Sequence, residues 1–393
     1  MTHSDYNKPV NPAVFILLSV LLQYLLLHNA NCNAQKQSEG RLTLLFAGDI
    51  MGHEDQIWSA EDRVSHTFNY DTVFSFIRPE IQEVDFAIAN LEVTLGRAPY
   101  YGYPSFRSPA ALASACKNAG FDCLVTANNH AADRRGKGII STINILDSLN
   151  IQHTGTFRNK EEKEDKYPLI LRKNNISVAL LNYTYATNGN VTNESVIVNI
   201  IDKSLIERDI TRAKLMNADC IVIFLHWGDE YKTLPSKSQL ELEEFIFEKG
   251  GDIIIGSHPH VLQKMVLMKN NGVNRDRLTA YSLGNLVSDQ RKKMTDGGAI
   301  VRIELTKKEN MTRVTDAGYY LTWVYIPLEK FRKRYYIIPC SEFENKQGFF
   351  ADTAAYRKMK KFITSSRSLL YNQNTNFWEI IYNGSSWLLN TRE

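Results

Sequence analysis

The chain is short of cysteine, short of net charge and short of long apolar runs. Five cysteines in 393 residues do not make a disulfide framework. A formal net charge of +3 is too small for the basic surface of a nucleic-acid binder, so no nucleic-acid partner is expected. No internal repeat and no low-complexity tract occurs. The hydrophobic share of 44% and charged share of 23% are those of an ordinary folded chain, long enough for one large α/β domain or two smaller ones.

One apolar run stands apart, from Ala13 to Leu27. Lys8 precedes it, and Cys32-Asn33-Ala34 supplies small residues at a cleavage point. A membrane-spanning helix needs about 20 apolar residues, so this run is short for one. Residues 1–34 are therefore expected to be a signal peptide, with an uncleaved N-terminal anchor as the alternative. Either way the chain is expected to be exported, to the periplasm or cell surface. Beyond the leader only Cys116, Cys123, Cys220 and Cys340 remain. Cys116 shares a helical stripe with Leu112, Ala115 and Ala119, and Cys123 and Cys220 lie in strand-like runs. These three read as buried small hydrophobes, with a Cys116–Cys123 bridge as the other option.

What the chain does have is a succession of buried strands that end in polar residues. Arg41 to Ala47 leads to Gly48-Asp49, and Asp85 to Ala89 leads to Asn90-Leu91-Glu92. Phe121 to Ala127 leads to Asn128-Asn129-His130, and Asp219 to Leu225 leads to His226-Trp227-Gly228-Asp229-Glu230. Asp252 to Ile255 leads to Gly256-Ser257-His258-Pro259-His260, and Leu278 to Leu283 leads to Gly284-Asn285. Helical patterns fall between the strands: Val73 to Val84, Pro109 to Gly120, Gly138 to Leu149, Leu205 to Asn217 and Ser236 to Lys249. This alternation predicts an α/β fold. In open α/β sheets ligands bind beyond the carboxyl ends of the strands. Asp49, Glu92, Asn129, His226, His258 and His260 all fall at such ends, and Pro259 is expected to hold His258 extended so that both imidazoles lean one way.

Carboxylate, amide oxygen and imidazole together suit Mn, Fe or Zn. Six donors exceed the four of a structural zinc site, so two divalent cations are expected. His130, beside Asn129, is placed to donate a proton to a leaving group. The Pro/Gly/Tyr loop Ala98 to Pro109 sets Tyr100, Tyr101, Tyr103 and Phe106 beside Arg107, to line a substrate cleft or to cover the core. Beyond residue 310, Gly318 to Ile326 and Tyr335 to Pro339 read as strands and Met359 to Leu370 as a basic helix. Residues 311–393 are expected to complete the domain begun at 35–310.

The motifs in order, Gly-Asp, Asn-Leu-Glu, Asn-Asn-His, His-Trp-Gly, Gly-Ser-His-Pro-His-Val and Tyr-Ser-Leu-Gly-Asn, resemble the bacterial CapA family across about Arg41 to Leu305. These are capsule-synthesis proteins associated with poly-gamma-glutamate, within the calcineurin-like metallophosphoesterase superfamily. The resemblance implies a four-layer αββα sandwich with metals at the strand ends. It puts Asp49, Glu92, Asn129, His226, His258 and His260 on the metals, His130 at the proton-donor position, and Glu230 and Asn285 at the rim. Two departures stand out. Met51 occupies the place of an expected imidazole, with His53 two residues late, and Glu92 replaces a bridging Asp. Two functions follow as expectations. One is a metal-dependent hydrolase or transferase acting on a cell-surface polymer or small anionic substrate, with His53, Arg107, Glu230 and Asn285 toward the substrate. The other is a non-catalytic component that binds or guides an anionic polymer beside membrane-anchored capsule machinery.

Overall fold

The computed structural model describes residues 39–190, 195–270, 275–309 and 311–391. The leader assigned to 1–34 lies outside these residues. Sixteen strands matter for the site: β1 (Gly40–Ile50), β2 (Phe86–Leu91), β3 (Cys123–Val125), β4 (Gln152–Thr154), β5 (Leu169–Lys173), β6 (Ile176–Thr184), β7 (Cys220–His226), β8 (Ile253–Ser257), β9 (Met265–Met268), β10 (Arg277–Ala280), β11 (Asn285–Val287), β12 (Gly297–Lys308), β13 (Met311–Tyr325), β14 (Tyr336–Pro339), β15 (Trp378–Tyr382) and β16 (Trp387–Leu389). The larger sheet has ten strands, ordered β16-β15-β13-β12-β1-β2-β3-β4, with β11 beside β1 and β14 beside β13. The second has six, ordered β9-β10-β8-β7-β6-β5.

Alternation along the strands builds the layers. In β1, Leu42, Leu44 and Phe46 face the second sheet, packing with Val178 and Leu180 of β6, Val222 and Phe224 of β7, and Ile253 and Ile255 of β8. Leu45 and Ala47 point the other way, onto the helix α1 (Ala110–Ala119), where Leu112, Ala115 and Cys116 meet them. Ile221, Ile223 and Ile254 face outward from the second sheet, onto α3 (Lys203–Leu215) and α4 (Lys237–Lys249) through Ile206, Ile210 and Ile246. Helix, sheet, sheet and helix therefore stack in four layers. A central strand buried on both faces needs an unbroken apolar run, which explains Ile253-Ile254-Ile255. Each such side chain contributes about 1.5–3 kcal/mol by leaving water.

Helix α2 (Arg135–Ser148) lies over the same outer face as α1, and α5 (Thr353–Gln373) brings Met359, Phe362, Ile363 and Leu370 to the core between the sheets. Strands β12 and β13 form a long antiparallel pair, and β15 joins β13 in parallel. Residues 311–391 thus share the large sheet and the inter-sheet core. The four cysteines among the described residues, Cys116, Cys123, Cys220 and Cys340, are buried and free. One helix differs from expectation. Val73 to Val84 is instead a short 3-10 turn at Asp71–Phe74 and a five-residue helix at Arg78–Gln82. Pro79 opens that second helix, and its ring forbids a helix running into it from the preceding turn. No helix among the described residues is long and apolar enough to cross a membrane.

Candidate metal centre

Strand register delivers the polar residues side by side. On the large sheet Asp49 is flanked by Asn90 of β2 and by Asn285 of β11. On the second sheet His226, the last residue of β7, pairs with Ser257, the last of β8. Both sets sit at the carboxyl ends of parallel strands, and the two ends face one another. Asn90 ties them together. Its amide donates to Asp49 Oδ1 at 2.7 Å and lies 3.3 Å from His226 Nδ1 and 3.4 Å from Ser257 Oγ. Asn128 holds Asn90 in turn, donating to its carbonyl oxygen at 3.2 Å and to the Leu91 carbonyl at 2.8 Å.

Asp49, Glu92 and His226, all fully buried, each offer a donor atom within 4.8 Å of the others. His226 Nε2 lies 2.9 Å from Asn129 Oδ1 and 3.6 Å from Glu92 Oε1. His260 Nδ1 lies 3.2 Å from Asp49 Oδ2 and 3.0 Å from Asn285 Oδ1, while its Nε2 faces Glu92 Oε1 at 3.9 Å. The His258 ring is 4.8 Å from that of His226 and 6.1 Å from that of His260. The six residues expected as ligands therefore converge.

The backbone reason for the two histidines differs from the expected one. His258 is not extended: its φ is +96°, and His260 has φ +58°. Pro259 excludes the right-handed helical region for its neighbour but leaves positive φ open. The turn uses that freedom to fold back over the strand ends, where the His258 N–H meets Asp49 Oδ2 at 3.3 Å. Non-glycine residues in this region cost roughly 1–3 kcal/mol each and persist where the surrounding structure over-determines them.

The donor set fits a divalent cation, and the fit rests on orphaned atoms. Both oxygens of Glu92 and Nδ1 of His258 are buried without a hydrogen-bond partner. Burial, and then the charge of Asp49, push the Glu92 carboxyl well above its ordinary range. Two facing buried carboxylates need a proton or a cation between them. Burial alone would also raise Asp49, but the bond and charge of His260, with Asn90 and the His258 N–H, bring it below the usual value. Burial, followed by the neighbouring imidazoles, keeps His226 far below its ordinary pKa and brings His258 down to about 4. These rings are held neutral, the form that binds metal. Ser257 Oγ, 2.9 Å from His226 Nδ1, can accept a hydrogen bond from Nδ1–H and leave the Nε2 lone pair free for a cation.

His130 lies beside the cluster in a turn, only 4% exposed. Its Nδ1 is 2.8 Å from Asp133 Oδ2, which also accepts from the Phe106 N–H at 2.7 Å. The Phe106 ring packs edge-on against it, and Tyr103 stands further out at 6.5 Å. The loop 98–109 therefore roofs His130. Tyr185, which lies 4.6 Å from His258, and Tyr231, which lies 6.1 Å from His260, close the other sides. Glu230 is exposed at this mouth, close enough to the Tyr231 hydroxyl to bond it.

Three expectations change. Asn285 is not at the rim; it is fully buried behind His260, because its strand pairs with β1 inside the sheet. His53 does not stand in for the imidazole missing at Met51. It caps the helix Glu54–Ala60, with its ring at Gln56 (3.2 Å), the Asp289 N–H (3.3 Å) and the Phe106 edge. Met51 itself is buried among apolar side chains. Arg107 lies over Tyr101, out along the roof loop rather than at the cluster. Sequence reasoning missed Asn90, Asn128, Ser257 and Asp133. The spacing of Asp133, three residues after His130 in one turn, was the signal available for the last.

The chain matches the pattern of the bacterial capsule synthesis protein family, PGA_cap, over residues 43–290. It belongs to that family. Over 288 residues it is 30% identical to the capsule biosynthesis protein CapA of Bacillus anthracis, an alignment covering 70% of this chain and 66% of that protein. This chain thus spans just under two thirds of that relative. The PGA biosynthesis protein CapA of Bacillus subtilis is 26% identical over 308 residues, covering 77% and 78% of the two chains. Among solved structures, the calcineurin-like phosphoesterase YfkN of Bacillus subtilis shares 13% identity at a TM-score of 0.43, over 84% of this chain and 99% of that one. Haemophilus influenzae NAD nucleotidase shares 11% at 0.46, over 86% and 64%. The four-layer α/β architecture of this CapA-type chain is the one the sequence resemblance implies.

Proposed function

We propose that this chain is an exported capsule-synthesis protein whose strand-end cluster is a metal-dependent hydrolase or transferase site acting on a cell-surface polymer or a phosphoester. The observation that carries the reading is Glu92: fully buried, with both oxygens unpartnered, against a second carboxylate and three neutral or hydrogen-bonded imidazoles. Asp49, Glu92, Asn129, His226, His258 and His260 are the residues that would hold the metal. Glu92 Oε1 faces both His226 Nε2 at 3.6 Å and His260 Nε2 at 3.9 Å, so this carboxylate would belong to the donor set of either imidazole. Bound there, divalent cations supply Lewis acidity and activate water near neutral pH.

The rest is the work of side chains. Asp133 fixes the His130 ring by accepting from Nδ1–H, so that the ring, when protonated, gives its Nε2 proton to a departing oxygen. Phe106 and Tyr103 keep bulk water off that ring. Asn90 and Ser257 orient Asp49 and His226 from behind. The test is metal analysis with turnover on phosphodiester and gamma-glutamyl substrates. His130→Ala should keep the metal and lose turnover; unchanged turnover removes His130 from the chemistry.

A second reading has its own observation. Met51 puts a buried thioether where the wider superfamily places an imidazole, and His53 does not replace it. A non-catalytic polymer-binding role then predicts polymer affinity that survives His258→Ala and His260→Ala, with no turnover in the intact chain.

A further inference from the structure

The two most exposed large apolar side chains among the described residues are Phe331, at 102%, and Val64, at 94%. Both stand on hairpin tips. Leu328–Glu329 pairs in antiparallel fashion with Arg332–Lys333 around the two-residue turn Lys330-Phe331, whose φ values are +49° and +64°. A turn with positive φ at both positions favours Asn-Gly, so Lys and Phe there work against folding. Leu328, on the same hairpin, is also exposed. The second tip is the turn 62–67, closed by the Asp62 N–H donating to the Thr67 carbonyl at 2.8 Å. Asp62 Oδ1 shapes it, accepting from the N–H groups of Val64 and Ser65 at 2.8 and 3.1 Å.

The fold brings these two hairpins together. They line one groove of about 560 Å³, Arg63 and Val64 from the first and Glu329, Arg332 and Arg334 from the second. Arg332 and Arg334 fix the spacing, donating to the carbonyls of Trp58 and Ser59 in the helix Glu54–Ala60. Trp58 itself is exposed. Among the described residues none of Arg63, Lys330, Arg332 and Arg334 forms an ion pair. The neighbouring acids are each engaged: Asp55 by Lys333, Glu61 by His66 at 3.5 Å, Glu329 by the Tyr336 hydroxyl at 2.8 Å, and Asp62 by its own turn. Lys333 also reaches Asp289 at 3.8 Å. The Asp289 N–H meets His53, whose ring lies on the edge of Phe106 beside His130. The two tips are thus on the same end of the molecule as the roof of the metal centre.

We infer that these two hairpin tips dock on an anionic lipid surface, with Phe331, Leu328 and Val64 entering the interface and Arg63, Lys330, Arg332 and Arg334 meeting lipid phosphates. Exposed apolar side chains grouped in one place mark a protein or a membrane contact. A protein partner needs a continuous face of roughly 800 Å². Two narrow tips parted by a charged groove suit a fluid surface better. Apolar tips collared by unpaired cations match its layers, acyl chains below and phosphates above. Trp58, exposed beside them, suits the headgroup level, where indole rings gather. Neither the leader nor a bound metal is needed for this contact.

The test is co-sedimentation with vesicles of phosphatidylglycerol and phosphatidylethanolamine, in chelator, using the protein without residues 1–34, which keeps every strand and helix described above. Phe331→Ser with Leu328→Ser should weaken binding about tenfold or more, the loss expected when two apolar side chains no longer leave water. Both positions are exposed, so the melt should not move. Arg63→Gln with Lys330→Gln should weaken binding about fivefold or more, a difference that raised salt erases. No binding to these vesicles overturns the inference, as does binding that both double variants retain. Sedimentation velocity without lipid is the second arm: a dimer lost in Phe331→Ser would make these tips a contact between copies and overturn it equally. The metal centre is tested apart. A chain that binds vesicles through these residues but loads no cation defeats the metal reading alone, whereas a metal-loaded chain that ignores vesicles defeats this one alone.

Discussion

At the residue scale the centre is a balance between burial and charge. Glu92 has its pKa raised by burial and by Asp49, so ionising it costs the folded chain more than the unfolded one. In the metal-free protein the stability tied to this group is full below the ordinary glutamate range and is lost as pH rises. Glu92→Gln should therefore raise the metal-free melting temperature at pH 7.5, and abolish the further rise that added Mn or Zn gives the parent chain. Thermal melts with and without metal check both signs. The histidines act the opposite way. His258 and His53 have pKa values lowered from 6.5 to about 4 by burial, so the unfolded chain takes up protons that the folded chain refuses. Metal-free stability should fall as pH drops from about 6.5 toward 4, read as the urea midpoint, and His258→Asn should flatten that slope. For turnover, His130→Ala should cost about 100- to 10,000-fold, the usual range for a positioned acid. Asp133→Asn should cost less and move the pH profile. The residues of the strand-end cluster were legible because each follows an apolar run. Asn90, Ser257 and Asp133 were not, because a residue that orients a ligand is defined by where a second strand or turn brings it. The positive φ at His258 was likewise hidden, since Pro259 narrows but does not choose its conformation.

At the scale of elements, the site depends on strand ends approaching closely. Gly48 precedes Asp49 where β1 passes the Gly284 turn, and an added Cβ would sit 2.0 Å from the Gly284 carbonyl oxygen. Asp49 N–H donates to that same carbonyl at 3.1 Å. Gly48→Ala must push the two segments apart and carry Asp49 with them. We expect a loss of about 1–3 kcal/mol in stability, as for overpacked sites, together with weaker metal retention, measured by denaturant titration and elemental analysis. The strands and most helices were readable because their periodicities are strong and their ends are marked. Gly120, for example, ends α1 at φ +115°. The stretch 73–84 was misread because its apolar spacing is helical while Pro79 divides it. Spacing reports which face is buried, not whether the backbone is continuous.

At the scale of the whole molecule, the match to the family ends at residue 290 but the large sheet does not. β12 is paired along its length by β13, and α5 fills the core between the sheets with Met359, Phe362, Ile363 and Leu370. A chain cut after residue 310 would expose the β12 edge and open that core. It should be insoluble or lack a cooperative melt, whereas removal of residues 1–34 should leave the melt intact. The four layers were legible from alternation and strand order. Elemental analysis of the purified protein without residues 1–34, beside its Glu92→Gln variant, tests the metal centre most directly. The six-donor cluster predicts about two divalent cations per parent chain and a clear loss in the variant. A parent chain that carries none and takes up none from Mn, Fe or Zn would contradict it.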